Sequence, residues 1–336
     1  MKWTVPEHNR QEVNIAGKKI IADDLMSILK DLDSWNRALE VINNWRSAHN
    51  FPLQCLKMTL LNRAKDADEK STVAQRLKRL TSIEEKLKKH SSWMKLSQMQ
   101  DIGGCRAIVE NIVRANELIK MYKDAEAKNP KRNTPAKVND YIAEPKEDGY
   151  RSYHLVYRYR SVARKHRVFN DLKVEIQIRT RLQHAWATAV ETVATFTGQP
   201  LKSGGGIADW RRFFALMGTA IAIREKCPTV TNTPTDPDAL ASELTELSDR
   251  LNVEGVLEGW RTSLRELPYS GSASPEAFLI ELKPSAGTLE YIGFGKDNLS
   301  DMAKICLERE KRIAATPQPG DQVVHDLPPV FSPVIM

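Results

Sequence analysis

The stretch "LKVEIQIRT" (172–180) constrains the fold most, because its apolar and polar residues alternate. A period of two is the pattern of a β-strand, whose successive side chains point to opposite faces of a sheet. Three branched aliphatic residues would face a core, and Glu175, Gln177 and Arg179 would share the other face. Taken alone, such a polar row is more typical of a solvent-exposed sheet face with a fortuitous charge pair.

A second stretch, "GYRSYHLVYRY" (149–159), alternates in the same way and would place Tyr150, Ser152 and His154 on one face. Gly149 allows the backbone to turn sharply just before Tyr150, which would leave the ring open to stack on a flat ligand. An aromatic ring with hydrogen-bonding neighbours suits a nucleobase. Half-buried packing for the tyrosine and a structural role for the histidine are the alternatives.

Periodicity along the chain predicts an α+β protein with a mixed sheet flanked by helices. We expect helices over 22–50, 53–63, 81–90, 112–128 and 180–196, and strands over 71–80, 103–111, 151–160 and 171–179, with a basic loop over 129–140. Four parts follow: an N-terminal helical segment (1–68), the sheet domain (69–200), a helical extension (201–270), and a small βα module with a Pro-rich tail (271–336). That tail is consistent with a linker, an edge strand or a docking peptide.

The balance of charges favours a polyanionic partner. Fifty Lys and Arg residues against 43 Asp and Glu give a formal charge of +7, which suits a nucleotide or a nucleic acid. The four cysteines are widely spaced without a CxxC pair, so neither a zinc site nor a disulfide framework is indicated, and a reducing, cytoplasmic setting is expected. No apolar run reaches the roughly 18 residues of a membrane span.

Cations and a hydroxyl crowd the stretch "RLKRLTSIEEKLKK" (76–89). Ser82 and Lys86 lie four residues apart and would share a helix face, with Arg76 and Lys78 just before it, so that all four could converge on a triphosphate. The alternative is a solvated basic face. The chain has no GxxxxGK[ST] and no GxGxxG, which excludes a P-loop and gives no support for a dinucleotide-binding fold.

The stretch "DIGGCRAIV" (101–109) combines a carboxylate, two glycines that admit close backbone approach, and Arg106. Asp101 and Glu175 would together supply two hard oxygen ligands for Mg²⁺, which keeps most of its waters and bridges to substrate phosphates. The glycines fit a plain turn equally well.

Four segments in this order, "RLKRLTSIEEKL", "DIGGCRAIV", "EPKEDGYRSYH" and "VEIQIRT…W", resemble the synthetase motifs of the RelA/SpoT family of alarmone synthetases. The resemblance covers about 50–197. It implies a mixed sheet related to nucleotidyltransferases and the transfer of the β,γ-pyrophosphate of ATP to the 3′-hydroxyl of GDP or GTP, with release of AMP.

The resemblance also implies roles for the motif residues. On the ATP side, Arg76 and Arg106 would hold the adenine or the phosphates, while Lys78, Ser82 and Lys86 would bind the phosphate chain. Asp101 and Glu175 would hold Mg²⁺, with Glu175 also taking the proton of the attacking hydroxyl; Lys86 counts with them as catalytic. On the acceptor side, Tyr150 would stack on the base, and Lys146, His154, Gln177 and Arg179 would line the phosphates and ribose.

The chain departs from the long members of that family. They carry a hydrolase domain with an HDxxED-type motif, whereas here His325-Asp326 stands alone in the tail, so a stand-alone synthetase without hydrolase activity is expected. Homo-oligomers occur among small members. Two alternatives remain: a toxin of the same family that pyrophosphorylates the 3′ end of tRNA, with basic segments as its groove and the C-terminal module regulatory, and a degenerate fold that only binds.

Overall fold

A computed structural model describes residues 3–22, 31–129, 134–197, 208–255, 257, 277–283, 288–294, 305 and 322–326. The chain divides into two compact units. The first consists of Met1–Lys146, Tyr150–Ala185 and Ile221–Thr229, and the second of Glu147–Gly149, Trp186–Ala220 and Val230–Met336. The four-part domain division expected from the sequence stays a prediction.

The helices are, in chain order, α1 (Arg10–Ala22), α2 (Leu32–Ala48), α3 (Asn50–Ala67), α4 (Leu80–Lys89), α5 (Ile112–Lys128), α6 (Arg181–Thr197), α7 (Ala208–Glu225) and α8 (Pro237–Leu251). The strands are β1 (Thr72–Leu77), β2 (Gly103–Val109), β3 (Lys137–Asp140), β4 (Tyr153–Arg158), β5 (Lys173–Thr180), β6 (Ala277–Lys283), β7 (Thr288–Phe294) and β8 (Gln322–Asp326). Short 3₁₀ helices span Leu96–Gln98 and Arg164–Phe169. Within these described ranges, no helix is apolar over a stretch long enough to cross a membrane.

A five-stranded sheet forms the centre of the first unit, in the order β1-β2-β5-β4-β3. β2 and β5 run parallel, and the other three pairs run antiparallel, so the sheet is mixed. The α+β class and the mixed sheet predicted from the sequence are therefore confirmed.

The two faces of this sheet differ in the way the alternation predicts. Val174, Ile176 and Ile178 of β5 are completely buried against apolar residues of α3 and α5. Each buried aliphatic side chain contributes about 2 kcal/mol, which fixes the register, because a slip of one residue would put these side chains in water. Glu175, Gln177 and Arg179 consequently share the opposite face.

A second apolar core joins the N-terminal helices to α4 and the short helix Leu96–Gln98. Its helix α1 was not predicted, partly because Gly17 lies within it and glycine is a poor helix former. A Cβ at Gly17 would lie 2.7 Å from the Cβ of Leu96, so the glycine permits close packing instead. The helix predicted over 22–50 begins at Leu32 among the described residues, and 23–30 lie outside them.

Three further predictions needed correction or lie outside the description. The basic segment expected as a loop over 129–140 ends in strand β3. Helix α4 starts at Leu80 with Arg79 as its N-cap, one residue before the start predicted at position 81. The helix of the predicted βα module (271–336) falls outside the described residues except for position 305.

In the second unit, the strands of that module include β6 and β7, which pair in an antiparallel fashion. β8 pairs with the other edge of β6, so of the three alternatives for the tail, the edge strand holds for Gln322–Asp326.

Candidate active site

The register of the sheet brings the predicted polar residues together. Glu175 lies opposite Gly104 of β2, and the next outward residue, Gln177, lies opposite Arg106 on one side and His154 on the other. Because opposite residues in neighbouring strands point to the same face, motifs far apart in sequence meet here. Arg76 of β1 completes the row beside Gly104 and is exposed.

Asp101, just before β2, binds two lysines. Lys86 Nζ of α4 donates to its Oδ1 at 2.8 Å, and Lys78 Nζ, just after β1, donates to its Oδ2 at 3.1 Å. The backbone N–H of Lys78 donates to the carbonyl of Ile102, which holds the start of the basic segment against β2. Ser82 lies one helical turn before Lys86 on the same face of α4. We call Lys78, Asp101 and Lys86 the lysine end.

The charges at the lysine end shift its pKa values. Burial would raise the pKa of Asp101, but the attraction and hydrogen bonds of the two lysines outweigh it, so the pKa lies below its ordinary value. Burial is the main reason why the pKa of Lys78 is lowered, and the positive charges of Lys86 and Arg76 add to it. Two cations sharing one carboxylate leave a net positive charge here, which suits a phosphate chain.

Glu175 and four other side chains form a closed ring of hydrogen bonds, which we call the Glu175 ring. His154 Nδ1 lies 3.0 Å from Glu175 Oε1, and Gln177 Nε2 donates to Oε2 at 2.7 Å. The other nitrogen of His154 lies 2.8 Å from the hydroxyl of Tyr150. Arg179 closes the ring by donating to the Tyr150 hydroxyl at 2.6 Å and to Gln177 Oε1 at 2.9 Å.

Glu175 is ionised by this arrangement although it is largely buried. Burial and the charge of Asp101 both raise its pKa, but the hydrogen bonds from His154 and Gln177 outweigh them, and the pKa lies below its ordinary value. Burial raises the pKa of Tyr150 in spite of the nearby Arg179, so the phenol keeps its proton. The effect of Asp101 on the pKa of Glu175 also shows that the two carboxylates are electrostatic neighbours.

The ring of Tyr150 packs among cations and aromatic groups. Lys146 Nζ lies 5.0 Å and Arg179 Cζ lies 5.0 Å from its centroid, both at cation–π distance. The Tyr141 ring contacts it edge-on at 5.9 Å. Gly149 precedes it with φ of +94°, a conformation that L side chains rarely adopt, so the sharp turn predicted at this glycine is present.

Some neighbours of the site were not predicted. Arg106 NH1 lies 3.4 Å from His184 Nδ1, on the first turn of α6. The end of β5 is anchored by the buried Glu225, which accepts hydrogen bonds from Thr180 Oγ1 and from Gln183 Nε2 at 2.8 Å. The only signal for His184 in the sequence is its place one turn after the strand "VEIQIRT".

The donor set of the site fits Mg²⁺ in kind. Asp101 and Glu175 are ionised oxygen ligands on the same part of the sheet, and Mg²⁺ usually takes one or two carboxylates together with waters and substrate phosphates. Among the described residues, no group of three or more His, Cys, Asp or Glu side chains could hold a metal by itself. A metal bound here would therefore depend on the phosphates of its nucleotide.

Residues 75–197 match the family model described as a region found in RelA / SpoT proteins. The chain carries a RelA/SpoT domain. This domain includes every site residue named above except Glu225. A 122-residue stretch is 39% identical to the GTP pyrophosphokinase YjbM of Bacillus subtilis (strain 168) and covers 34% of this chain. The chain spans about half the length of that curated relative, 52%.

Two solved structures are also similar to the chain. Small alarmone synthetase 1 from Bacillus subtilis, bound to its product pppGpp, is 27% identical and has a TM-score of 0.39, with coverage of 52% of this chain and 86% of that chain. Small alarmone synthetase 2 from Bacillus subtilis is 21% identical and has a TM-score of 0.43, and the match covers 55% of this chain and 94% of that chain. At these scores the superpositions carry no argument, and the fold rests on the register of its own sheet.

Proposed function

We propose that the RelA/SpoT domain transfers pyrophosphate from ATP to the 3′-hydroxyl of GDP or GTP, with Mg²⁺ as cofactor. The observation that carries this proposal is a pair of neighbouring ionised carboxylates, Asp101 bound by two lysines and Glu175 held in an aromatic, hydrogen-bonded ring. The 39% identity with a GTP pyrophosphokinase over 122 residues supports the reaction class.

The lysine end is the proposed site of the ATP phosphates. Lys78 and Lys86 reach Asp101 through long side chains that can exchange one anion for another at little cost. When the triphosphate binds, these ammonium groups would move onto its oxygens, joined by Ser82, Arg76 and Arg106. Mg²⁺, when bound by the carboxylates and the phosphates, would neutralise charge on the transferred group.

The Glu175 ring is the proposed site of the acceptor. Glu175 would accept the proton of the 3′-hydroxyl as that oxygen forms a bond to the β-phosphorus of ATP. The bond between this phosphorus and the oxygen bridging to the α-phosphate breaks, and the electron pair leaves with AMP. Tyr150 would hold the base by its ring, and Lys146 and Arg179 would hold the acceptor phosphates.

A second acceptor, the 3′ end of tRNA, is favoured by one observation. Arg158 and Lys173 lie directly opposite each other across β4 and β5, on the same sheet face as Glu175. Like charges in this position are destabilising, and Arg158 adds to burial in lowering the pKa of Lys173, although Lys173 Nζ also donates to the carbonyl of Gln98 at 3.1 Å. A phosphate backbone crossing the face would relieve their repulsion.

The test is to incubate the purified protein with Mg²⁺ and ATP labelled at the γ-phosphate, with GDP, GTP or bulk tRNA offered separately. Label in a guanosine tetra- or pentaphosphate, with an equal amount of AMP, is the expected result. Label only in tRNA would establish the second acceptor. If none of the three is labelled while AMP is also not formed, the proposed transfer is wrong.

A further inference from the structure

A segment beyond the RelA/SpoT match folds together with the sheet domain. The match ends at residue 197, but Ile221–Thr229 belong to the first compact unit with the five-stranded sheet. This segment comprises the last turn of α7 and the turn that follows it (226–229). Two buried charged residues, Arg151 and Glu225, join this segment to the chain on either side of the Glu175 ring.

Arg151 follows Tyr150 directly, and only 2% of it is exposed although its side chain is charged. One terminal nitrogen, NH1, donates to the carbonyl of Ile142 at 3.2 Å, and the other, NH2, donates to the carbonyl of Pro228. Ile142 begins the loop that carries Lys146, and Pro228 lies in the turn after α7. The planar fork of a guanidinium holds two carbonyls in a fixed geometry, whereas an ammonium is a single point charge.

Glu225, the last residue of α7, is the second buried charge and is 8% exposed. It accepts hydrogen bonds from Thr180 Oγ1 and Gln183 Nε2. These two residues are also tied to each other, because each side chain accepts from the backbone N–H of the other. Thr180 follows Arg179 directly, so Glu225 fixes the end of β5 beside the residue that donates to the Tyr150 hydroxyl.

The charges of Arg151 and Glu225 compensate each other. Burial lowers the pKa of Arg151, and the negative charge of Glu225 is among the groups that oppose this change. The two side chains that donate to Glu225 are both neutral, so they do not balance its charge. Removing either charge would leave the other buried without its compensation, which is costlier than removing both.

We propose that Arg151 and Glu225 are positioning residues for the acceptor nucleotide. They hold the two chain segments from which Tyr150 and Arg179 project, so a part of the chain outside the RelA/SpoT match supports the Glu175 ring. Neither residue needs to touch the nucleotide. The effect on acceptor binding rests on the proposed function, whereas the effect on the order of the loop does not.

The first test needs no substrate and measures amide hydrogen exchange by NMR. The N–H of Tyr141 donates to the carbonyl of Ser152 at 3.0 Å, directly beside the contact between Arg151 and the loop. In Arg151→Met this N–H should exchange about tenfold faster or more, whereas the N–H of Lys78, bonded to the Ile102 carbonyl, should keep its rate. An unchanged rate at Tyr141, or equal acceleration at both positions, would overturn the positioning role.

The second test is equilibrium binding of GDP and of a non-hydrolysable ATP analogue, each with Mg²⁺. Arg151→Met and Glu225→Gln should each weaken GDP about tenfold and change the dissociation constant of the ATP analogue less than about twofold. Arg151→Lys retains the charge and one donor, so it should recover part of the GDP affinity, and it replaces Arg151→Met if that variant does not fold.

Arg212→Met is the matched control for these variants. Arg212 also lies on α7 and also donates to a backbone carbonyl, that of Asn232, but this carbonyl and its carboxylate partner Glu243 belong to the second unit. Its removal should leave both dissociation constants within about twofold of wild type. Unchanged GDP affinity in Glu225→Gln, or equal weakening of both nucleotides, would overturn the proposal.

The compensation of charge is tested by combining the two substitutions. The double variant Arg151→Met, Glu225→Gln should weaken GDP by less than the product of the two single effects, because no buried charge is left without its partner. Effects that multiply would overturn the joint role of the two residues.

Failure of the two proposals can be told apart. A wild-type protein that transfers no pyrophosphate, with faster exchange at Tyr141 in Arg151→Met, would overturn the proposed function and leave the support of the loop intact. An active wild type whose variants bind GDP as tightly as it does would overturn only the inference about Arg151 and Glu225.

Discussion

Asp101 and Glu175 are both ionised carboxylates and electrostatic neighbours, but their surroundings differ. Asp101 is paired with ammonium groups on long side chains that come from outside the strands. Glu175 makes hydrogen bonds to side chains of β4 and β5, and Arg179 contacts it indirectly, through Gln177. We infer that the lysines can exchange Asp101 for phosphate oxygens, whereas the hydrogen bonds of the Glu175 ring are already formed before a nucleotide binds.

The largest effect is expected from removing the negative charge that Asp101 and Glu175 share. Asp101→Asn and Glu175→Gln should each lower the rate of transfer by about 10³-fold or more, since in the proposed reaction both charges would hold the metal and Glu175 would also take the proton. Single-turnover formation of AMP is the measurement. A near-normal rate in either variant would mean that this carboxylate does not serve the reaction.

Two glycines near the site, Gly149 and Gly104, should differ in how much an alanine substitution lowers the free energy of unfolding. Gly149→Ala places a Cβ at φ of +94° and 2.7 Å from the carbonyl oxygen of Phe214, and should lower the free energy of unfolding by about 2–4 kcal/mol. Gly104→Ala is the control, because its nearest neighbour, the carbonyl oxygen of Glu175, lies 3.8 Å away. Urea unfolding of both variants checks this, and equal losses would contradict it.

The pH dependence of the free energy of unfolding distinguishes the contribution of the site carboxylates from that of a buried histidine. Burial lowers the pKa of His49 from 6.5 to about 4, against the hydrogen bond to the Trp45 carbonyl, so the folded state binds a proton less readily than the unfolded chain. Stability should be complete above pH 6.5 and fall toward pH 4, with about 2 kcal/mol lost by pH 5.

His49→Gln should remove this part of the pH dependence in urea unfolding measured from pH 7 to pH 5. The carboxylates of the two ends contribute little in this window, because the stability that their lowered pKa values provide is lost only as the pH falls through the ordinary values of 3.8 and 4.5. If the free energy of unfolding of His49→Gln depends on pH as in the wild type, groups other than His49 cause the loss of stability in acid.

The sequence was sufficient for the features that depend on local pattern. The alternation in "LKVEIQIRT" predicted both the buried face of β5 and the polar row of Glu175, Gln177 and Arg179. The spacing of the basic segment also predicted that Lys78 and Lys86 converge, whereas their hydrogen bonds to Asp101 were not predicted.

Features that depend on pairing between distant segments were not predictable. The Glu175 ring requires His154 to lie opposite Gln177, a register that no local pattern specifies. β3 is a four-residue edge strand within a basic, loop-like segment, and its strand character comes from pairing with β4. α1 was not predicted because it contains Gly17, a poor helix former. This glycine allows close packing against Leu96, which lies 79 positions later in the sequence.

If the lysine end and the Glu175 ring bind two different nucleotides, as proposed, equilibrium binding to variants of each end can separate them. Dissociation constants for a non-hydrolysable ATP analogue and for GDP, measured with Mg²⁺ in Lys86→Ala and Lys146→Ala, give a two-by-two comparison. We expect Lys86→Ala to weaken only the ATP analogue and Lys146→Ala to weaken only GDP, each by about tenfold. Equal weakening of both nucleotides by either variant, or a crossed pattern, would contradict the division.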